Sequence, residues 1–137
     1  MINRISLKKI DIPAAGNLID DIDFICKSFG YFSQRDKKDT AGRIFRLLVK
    51  EATGRKKRGL TSDEIAEQLK LTRGAIVHHL NNFISAGLVI RERNTYRLRS
   101  QSLQKSIEEV KEDVERIFRE ILKIAREIDN QLGNYYR

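Results

Sequence analysis

The chain has 137 residues, with 27 Lys and Arg against 19 Asp and Glu for a formal charge of +8, and 40% of its residues are apolar while 34% are charged. That length fits one domain with at most an appendage, and the composition supplies a core beneath a heavily charged surface, which excludes a disordered chain and a membrane-spanning one. One Cys excludes an internal disulfide framework, two adjacent His are too few soft ligands for a structural zinc site, and no signal-peptide core follows Met1-Ile2-Asn3-Arg4, so a reducing cytoplasm, no cofactor and no metal are expected.

Residues 1–32 read as an N-terminal arm and helix. Ile5, Leu7, Ile10 and Ile12, set among Lys and Asp, suit a short strand or an arm that Pro13 closes. From Asn17 to about Phe29 the apolar positions Leu18, Ile22, Ile25, Cys26 and Phe29 recur three and four apart. That spacing predicts an amphipathic helix ending near Gly30, with Cys26 a buried thiol.

A second helix is expected from about Lys37 to Ala52, traced by Ile44, Leu47, Leu48 and Glu51 and stopped by Gly54. It opens the middle segment, residues 33–100, whose charge of +9 stands against 0 for residues 1–32 and −1 for residues 101–137. An excess gathered in one segment is the footprint of a surface that meets a polyanion. Beyond the helix, Arg55-Lys56-Lys57-Arg58 sets four positive charges in one loop. Lys56, Lys57 and Arg58 either clamp phosphates there or form a solvated connection.

Leu60 to Ser100 carries the motif. Thr61 stands three residues before Glu64 and ahead of Ile65, Ala66 and Leu69, the spacing of a capping box that starts a short helix. Leu71-Thr72 breaks it, and Thr72 caps a second helix on which Ile76, Leu80, Phe83 and Ile84 share one face and which Gly87 ends. Two short helices joined by so tight a turn form a helix-turn-helix. Leu88 to Arg93 and Tyr96 to Ser100 then read as two strands joined at Asn94-Thr95, a hairpin wing.

The run Leu71-Thr72-Arg73-Gly74-Ala75-Ile76-Val77-His78-His79-Leu80, followed by Phe83 and Ala86-Gly87-Leu88-Val89, resembles the recognition-helix signature of ArsR-type winged-helix transcription regulators. The resemblance implies a homodimer that binds operator DNA through this helix. Metal-sensing members carry a Cys pair on the first helix of the motif, or His and Asp ligands on a terminal helix. This chain has neither, so the resemblance extends to the DNA-binding fold and not to a metal sensor.

On the second helix, Gly74, His78, Asn81 and Ser85 lie opposite the apolar face, with Val77 and Asn82 beside them. In a major groove Asn pairs two ways with adenine, His donates or accepts at purine edges, and Val77 can meet a thymine methyl. Gly74 lets the helix start approach closely, while Thr72 and Arg73 at its N-terminus suit phosphates. His79 falls at the edge of the apolar stripe, as a packing or phosphate residue. The adjacent His78-His79 pair is a poor metal motif, because consecutive helical residues diverge. In the wing, Arg91, Arg93, Arg97 and Arg99 alternate with Ile90, Glu92, Tyr96 and Leu98, which predicts one packed and one guanidinium-rich side. Arg93 and Asn94 at the tip, then Arg97, are the expected contacts to backbone or minor groove.

Residues 101–137 read as a C-terminal dimerisation helix. Leu103, Ile107, Val110, Val114, Ile117, Ile121, Ile124 and Ile128 follow an unbroken heptad spacing, with Phe118, Leu122, Ala125 and Leu132 widening the face. The expected partner is the same helix of a second copy, in a twofold dimer suited to a twofold operator, with the N-terminal helix or the winged domain packed alongside the widened face; the alternative is a helix folded back on its own domain. The fold class is therefore mainly α with a small β-hairpin: residues 33–100 form a winged helix-turn-helix between an N-terminal helix and a long C-terminal coiled-coil helix. The function expected is sequence-specific binding of double-stranded DNA by a regulator, with no membrane partner. Two other readings are a sequence-tolerant architectural protein and a winged-helix interaction module. With no phosphate-binding Gly loop, paired acidic site or Cys–His or Ser–His arrangement, enzymatic activity is not expected.

Overall fold

The computed structural model describes residues 4–14, 16–31, 39–54 and 58–135. Residues 4–14 form an arm without helix or strand. Then come α1 (Leu18–Ser28), α2 (Thr40–Ala52), β1 (Leu60–Thr61), α3 (Ser62–Leu69), α4 (Arg73–Ser85), β2 (Val89–Glu92), β3 (Thr95–Leu98) and α5 (Leu103–Tyr135).

Asn17 caps α1, its side-chain oxygen accepting from the Asp20 N–H at 3.1 Å, and Asp20 and Asp21 place negative charge where the helix dipole is positive. Cys26 is buried, as its spacing predicts, but Leu18 is exposed together with Ile19. In α2 the buried positions are Thr40, Ala41, Gly42, Ile44, Phe45 and Leu48, so Phe45 belongs to the core and Leu47 lies at its margin. The predicted helix start at Lys37 lies outside the described residues. Phe45 meets Phe83 of α4 edge to face at 5.7 Å between ring centres, and Tyr31 meets Phe83 at 4.5 Å. These aromatic edges hold α2, α4 and the segment after α1 to a common core. Arg46 clips α2 to α1 through Asp23 at 2.6 Å, and Arg43 donates to the Leu69 carbonyl at the end of α3 at 2.5 Å.

The capping box of α3 is complete. Glu64 N–H donates to the Thr61 hydroxyl at 3.0 Å, and Thr61 N–H donates to the Glu64 carboxylate at 3.1 Å. Thr61→Ala should therefore lower the unfolding free energy by about 1 kcal/mol, read as a reduced urea midpoint with unchanged slope. Lys70 ends α3 in the left-handed region at φ +53°, so the chain reverses through Lys70-Leu71-Thr72 directly into α4. Thr72 then caps α4, its hydroxyl accepting from the Ala75 N–H at 3.4 Å.

The sheet corrects the sequence reading in three ways. It has three antiparallel strands in the order β1-β3-β2, with Leu60 opposite Tyr96 and Val89 opposite Leu98. β1 is two residues long, too short to show alternation, and its approach needs Gly59: a Cβ there would stand 2.8 Å from the Thr95 side chain. The hairpin turn is Arg93-Asn94 and not Asn94-Thr95, because Thr95 pairs with Glu92. The guanidinium groups also divide between faces. A two-residue turn puts Val89 and Arg91 on the face of Leu98 and Tyr96, and Ile90 and Glu92 on that of Arg97 and Thr95. No single face carries Arg91 and Arg97 together.

α5 is 33 residues long, about 50 Å at 1.5 Å per residue. Ser102 caps it, accepting from the Lys105 N–H at 3.1 Å. Its heptad seam has two fates. Val110 is only 2% exposed, and Leu103, Ile107 and Val114 pack around it against the chain's own core. These four, expected at a dimer seam, are thus intramolecular contacts. Ile117, Ile121, Ile124 and Ile128 remain 40%, 56%, 54% and 50% exposed, beside exposed Phe118, Leu122 and Leu132. The whole is a mainly helical winged helix-turn-helix with a long C-terminal helix.

Candidate nucleic-acid interface

α4 turns Ile76, Leu80 and Phe83 into the core and leaves Arg73, Gly74, His78, Asn81 and Asn82 exposed. Val77 is half-buried beside them. The exposed residues therefore form the outward stripe that the helical projection places opposite the core. A Cβ at Gly74 would meet nothing within 4 Å, so the chain itself imposes no steric need for glycine there. Thr72 spends its hydroxyl on the helix cap, which leaves the free N–H groups of the first turn and Arg73 at this end. Arg73 lies 3.8 Å from Asp63, with both side chains largely exposed. His79 is half-buried, its ring edge-on to that of His78 at 5.3 Å between centres.

One signal in the sequence goes beyond the net charge of the segment. From Gln68 to Arg91 there is no acidic residue, so the turn, α4 and the first residues of β2 present cations and neutral hydrogen-bonding groups only. This local absence of carboxylates lowers the cost of bringing a polyanion to the helix more than the overall charge does, because screening limits the reach of distant groups to about 10 Å.

The wing tip separates committed from uncommitted cations. Arg97 pairs with Glu92 across the hairpin at 2.9 Å, and this hydrogen bond and charge hold the Glu92 carboxyl below its usual pKa. Arg91 lies over the Tyr96 ring, 5.6 Å from its centre, and donates to the Arg93 carbonyl at 3.0 Å. It braces the turn. Arg99 leaves the wing altogether and binds Asp113 of α5 at 2.5 Å. Arg93 and Asn94 are both exposed, and Arg93 makes no ion pair among the described residues. Arg93 also takes φ +58°, a left-handed conformation that suits glycine better than a residue with a Cβ. Of the basic loop, Arg58 pairs with Glu64 at 3.0 Å; Lys56 and Lys57 lie outside the described residues.

No helix among the described residues is long and apolar enough to cross a membrane. Residues 39–92 match a family model described as a helix-turn-helix domain, a span that runs from the start of α2 to the end of β2 and includes all of α4. The match makes that part of the chain similar to a helix-turn-helix domain, a motif that in DNA-binding proteins places its second helix in the major groove. No curated protein and no solved structure matches the chain.

Proposed function

We propose that the chain is a homodimeric transcription regulator of ArsR-like type that recognises a pseudopalindromic duplex site. α4 enters the major groove, and Arg93 and Asn94 of the wing contact the adjacent backbone or minor groove. The observation that carries this reading is the outward stripe of α4, where Gly74, His78 and Asn81 stand exposed on a helix that has no carboxylate. His78 and Asn81 read base edges, Val77 meets a thymine methyl, and Thr72 and Arg73 position the helix on phosphates. Lys56 and Lys57 add backbone contacts from the loop, whose Arg58 is held by Glu64. The second copy joins through the exposed distal part of α5, where Ile117, Ile121, Ile124 and Ile128 continue the seam beyond the chain's own core.

Strain and open space support the site. Arg93 holds a left-handed turn position at a cost of roughly 1–2 kcal/mol relative to glycine, and a retained strained residue at an exposed tip is a mark of use outside the fold. Gly74 weakens α4 where an alanine would fit. Arg93→Gly and Gly74→Ala should therefore each raise stability by about 1 kcal/mol while weakening duplex binding. His78→Ala and Asn81→Ala should instead leave stability unchanged and flatten discrimination between bases by about 1–3 kcal/mol per lost pair. Competition binding with single-base operator variants measures this, and full discrimination in both variants would refute the assignment of the reading face.

A further inference from the structure

We propose that the N-terminal arm is a further DNA-contacting element, with Arg4 taking a backbone phosphate beside the bases read by α4. This inference rests on the DNA-binding reading above and extends it to a segment that lies outside the residues matched by the helix-turn-helix family model.

The arm is fastened to the motif by its own backbone. Arg4 N–H donates to the Ser85 carbonyl at the end of α4 at 3.2 Å, and Lys8 N–H donates to the Ser28 carbonyl of α1 at 2.8 Å. Gly30, at φ +72°, lies against the arm, with the Ser6 carbonyl oxygen at the ordinary contact distance of 3.4 Å from where a Cβ would stand. Ile5 packs against the core between these two ties. The position of Arg4 along α4 is thus set by backbone hydrogen bonds and packing, independently of any charge.

Between arm and helix runs an open groove of about 440 Å³. Arg4 and Ser6 line it from the arm, His78, His79, Asn82 and Ser85 from the helix, and Phe29 and Tyr31 beneath; among the described residues no carboxylate lines it. Guanidinium, hydroxyl, amide and imidazole groups gathered around one groove suit an oxyanion, and a guanidinium binds phosphate with two parallel hydrogen bonds. Arg4 is exposed and makes no ion pair among the described residues, unlike Arg58, Arg97 and Arg99, which acids already hold. Lys8 and Lys9 are exposed further along the same arm. The groove shares His78 with the outward stripe of α4, so a duplex seated on that stripe brings its backbone to Arg4.

The experiment is a titration of duplex affinity against salt for the full chain, comparing the wild type with Arg4→Ala, Arg4→Lys and a Lys105→Ala control on the exposed face of α5. Arg4→Ala should weaken binding several-fold, equally on specific and scrambled duplexes. It should also reduce the slope of log affinity against log salt by about 0.9, the value of one phosphate contact. Arg4→Lys should restore the slope, and Lys105→Ala should leave it unchanged. A slope and affinity for Arg4→Ala equal to the control overturns the proposal while His78→Ala still reports on the reading helix. Arg4-dependent binding of inorganic phosphate to the protein alone, without any Arg4 effect on the duplex slope, also overturns it and makes the groove a free-anion site. Absence of duplex binding by the wild type defeats the DNA-binding reading itself.

Discussion

Ile121→Asp combined with Ile124→Asp should halve the mass of the protein in solution, from twice the chain mass of 15.9 kDa to once, without unfolding it. Both side chains lie beyond the part of α5 that packs on the chain's own core, so charge there removes no intramolecular contact. In the proposed dimer each seam side chain is already half covered by its own helix. A partner therefore adds roughly half of the 1.5–3 kcal/mol that full burial of an aliphatic side chain brings, about 1 kcal/mol each. Two carboxylates facing two others in the seam oppose that gain. Because a dimer engages two half-sites at once, duplex affinity should fall by about a hundredfold or more in the same variant. Val110→Asp is the contrasting substitution: it puts a charge into the core and should unfold the domain. A light-scattering mass unchanged by the Ile121 and Ile124 substitutions would show that no second copy joins through this seam.

Arg99→Ala should cost about 2–3 kcal/mol of stability, less than the loss of a buried ion pair with no other partner because Arg116 still faces Asp113. Asp113 of α5 is 3% exposed and accepts from Arg99 at 2.5 Å and from Arg116. Glu109 also lies 3.4 Å from Arg99. Removing Arg99 leaves the buried carboxylate with Arg116 as its cationic partner and detaches α5 from the end of β3. Asp113→Asn, which keeps a hydrogen-bonding group without the charge, should cost less. The same pair sets an acid limit. The hydrogen bond from Arg99, with the Arg99 and Arg116 charges, holds the Asp113 carboxyl below its usual pKa. Its contribution is therefore fully present above the unfolded value of about 3.9 and is lost as pH falls below it toward the folded value. Thermal melts from pH 6 downward should show the wild type losing stability below about pH 4, with a shallower loss in Asp113→Asn.

The helix-turn-helix was legible in the sequence because its signals are local. Thr61 and Glu64 meet within one turn of helix, Thr72 caps α4, and Ile76, Leu80 and Phe83 repeat at helical spacing. What escaped depends on partners distant in the chain. β1 becomes a strand only by pairing with Thr95 and Tyr96, and its two residues hold no period of their own. The docking of the arm rests on backbone hydrogen bonds to Ser85 and Ser28, which side-chain pattern does not encode. In α5 one heptad period continues through Val110, which fills the chain's own core, and Ile121, which is exposed, because apolar spacing marks a face without saying what packs on it. Among the wing cations, Arg91, Arg93, Arg97 and Arg99 look alike in sequence. Register and ion pairing set them apart, leaving Arg93 uncommitted at the tip.

In the proposed regulator a dimer of this chain reads a specific duplex sequence through α4. Selection from a pool of random duplexes by the purified protein at near-physiological salt tests it most directly, with the mass of the bound species recorded by light scattering. An enriched inverted repeat, bound by two copies and no longer enriched by His78→Ala with Asn81→Ala, is the predicted result. Binding without enrichment, or no binding together with a stoichiometric protein partner, would contradict it.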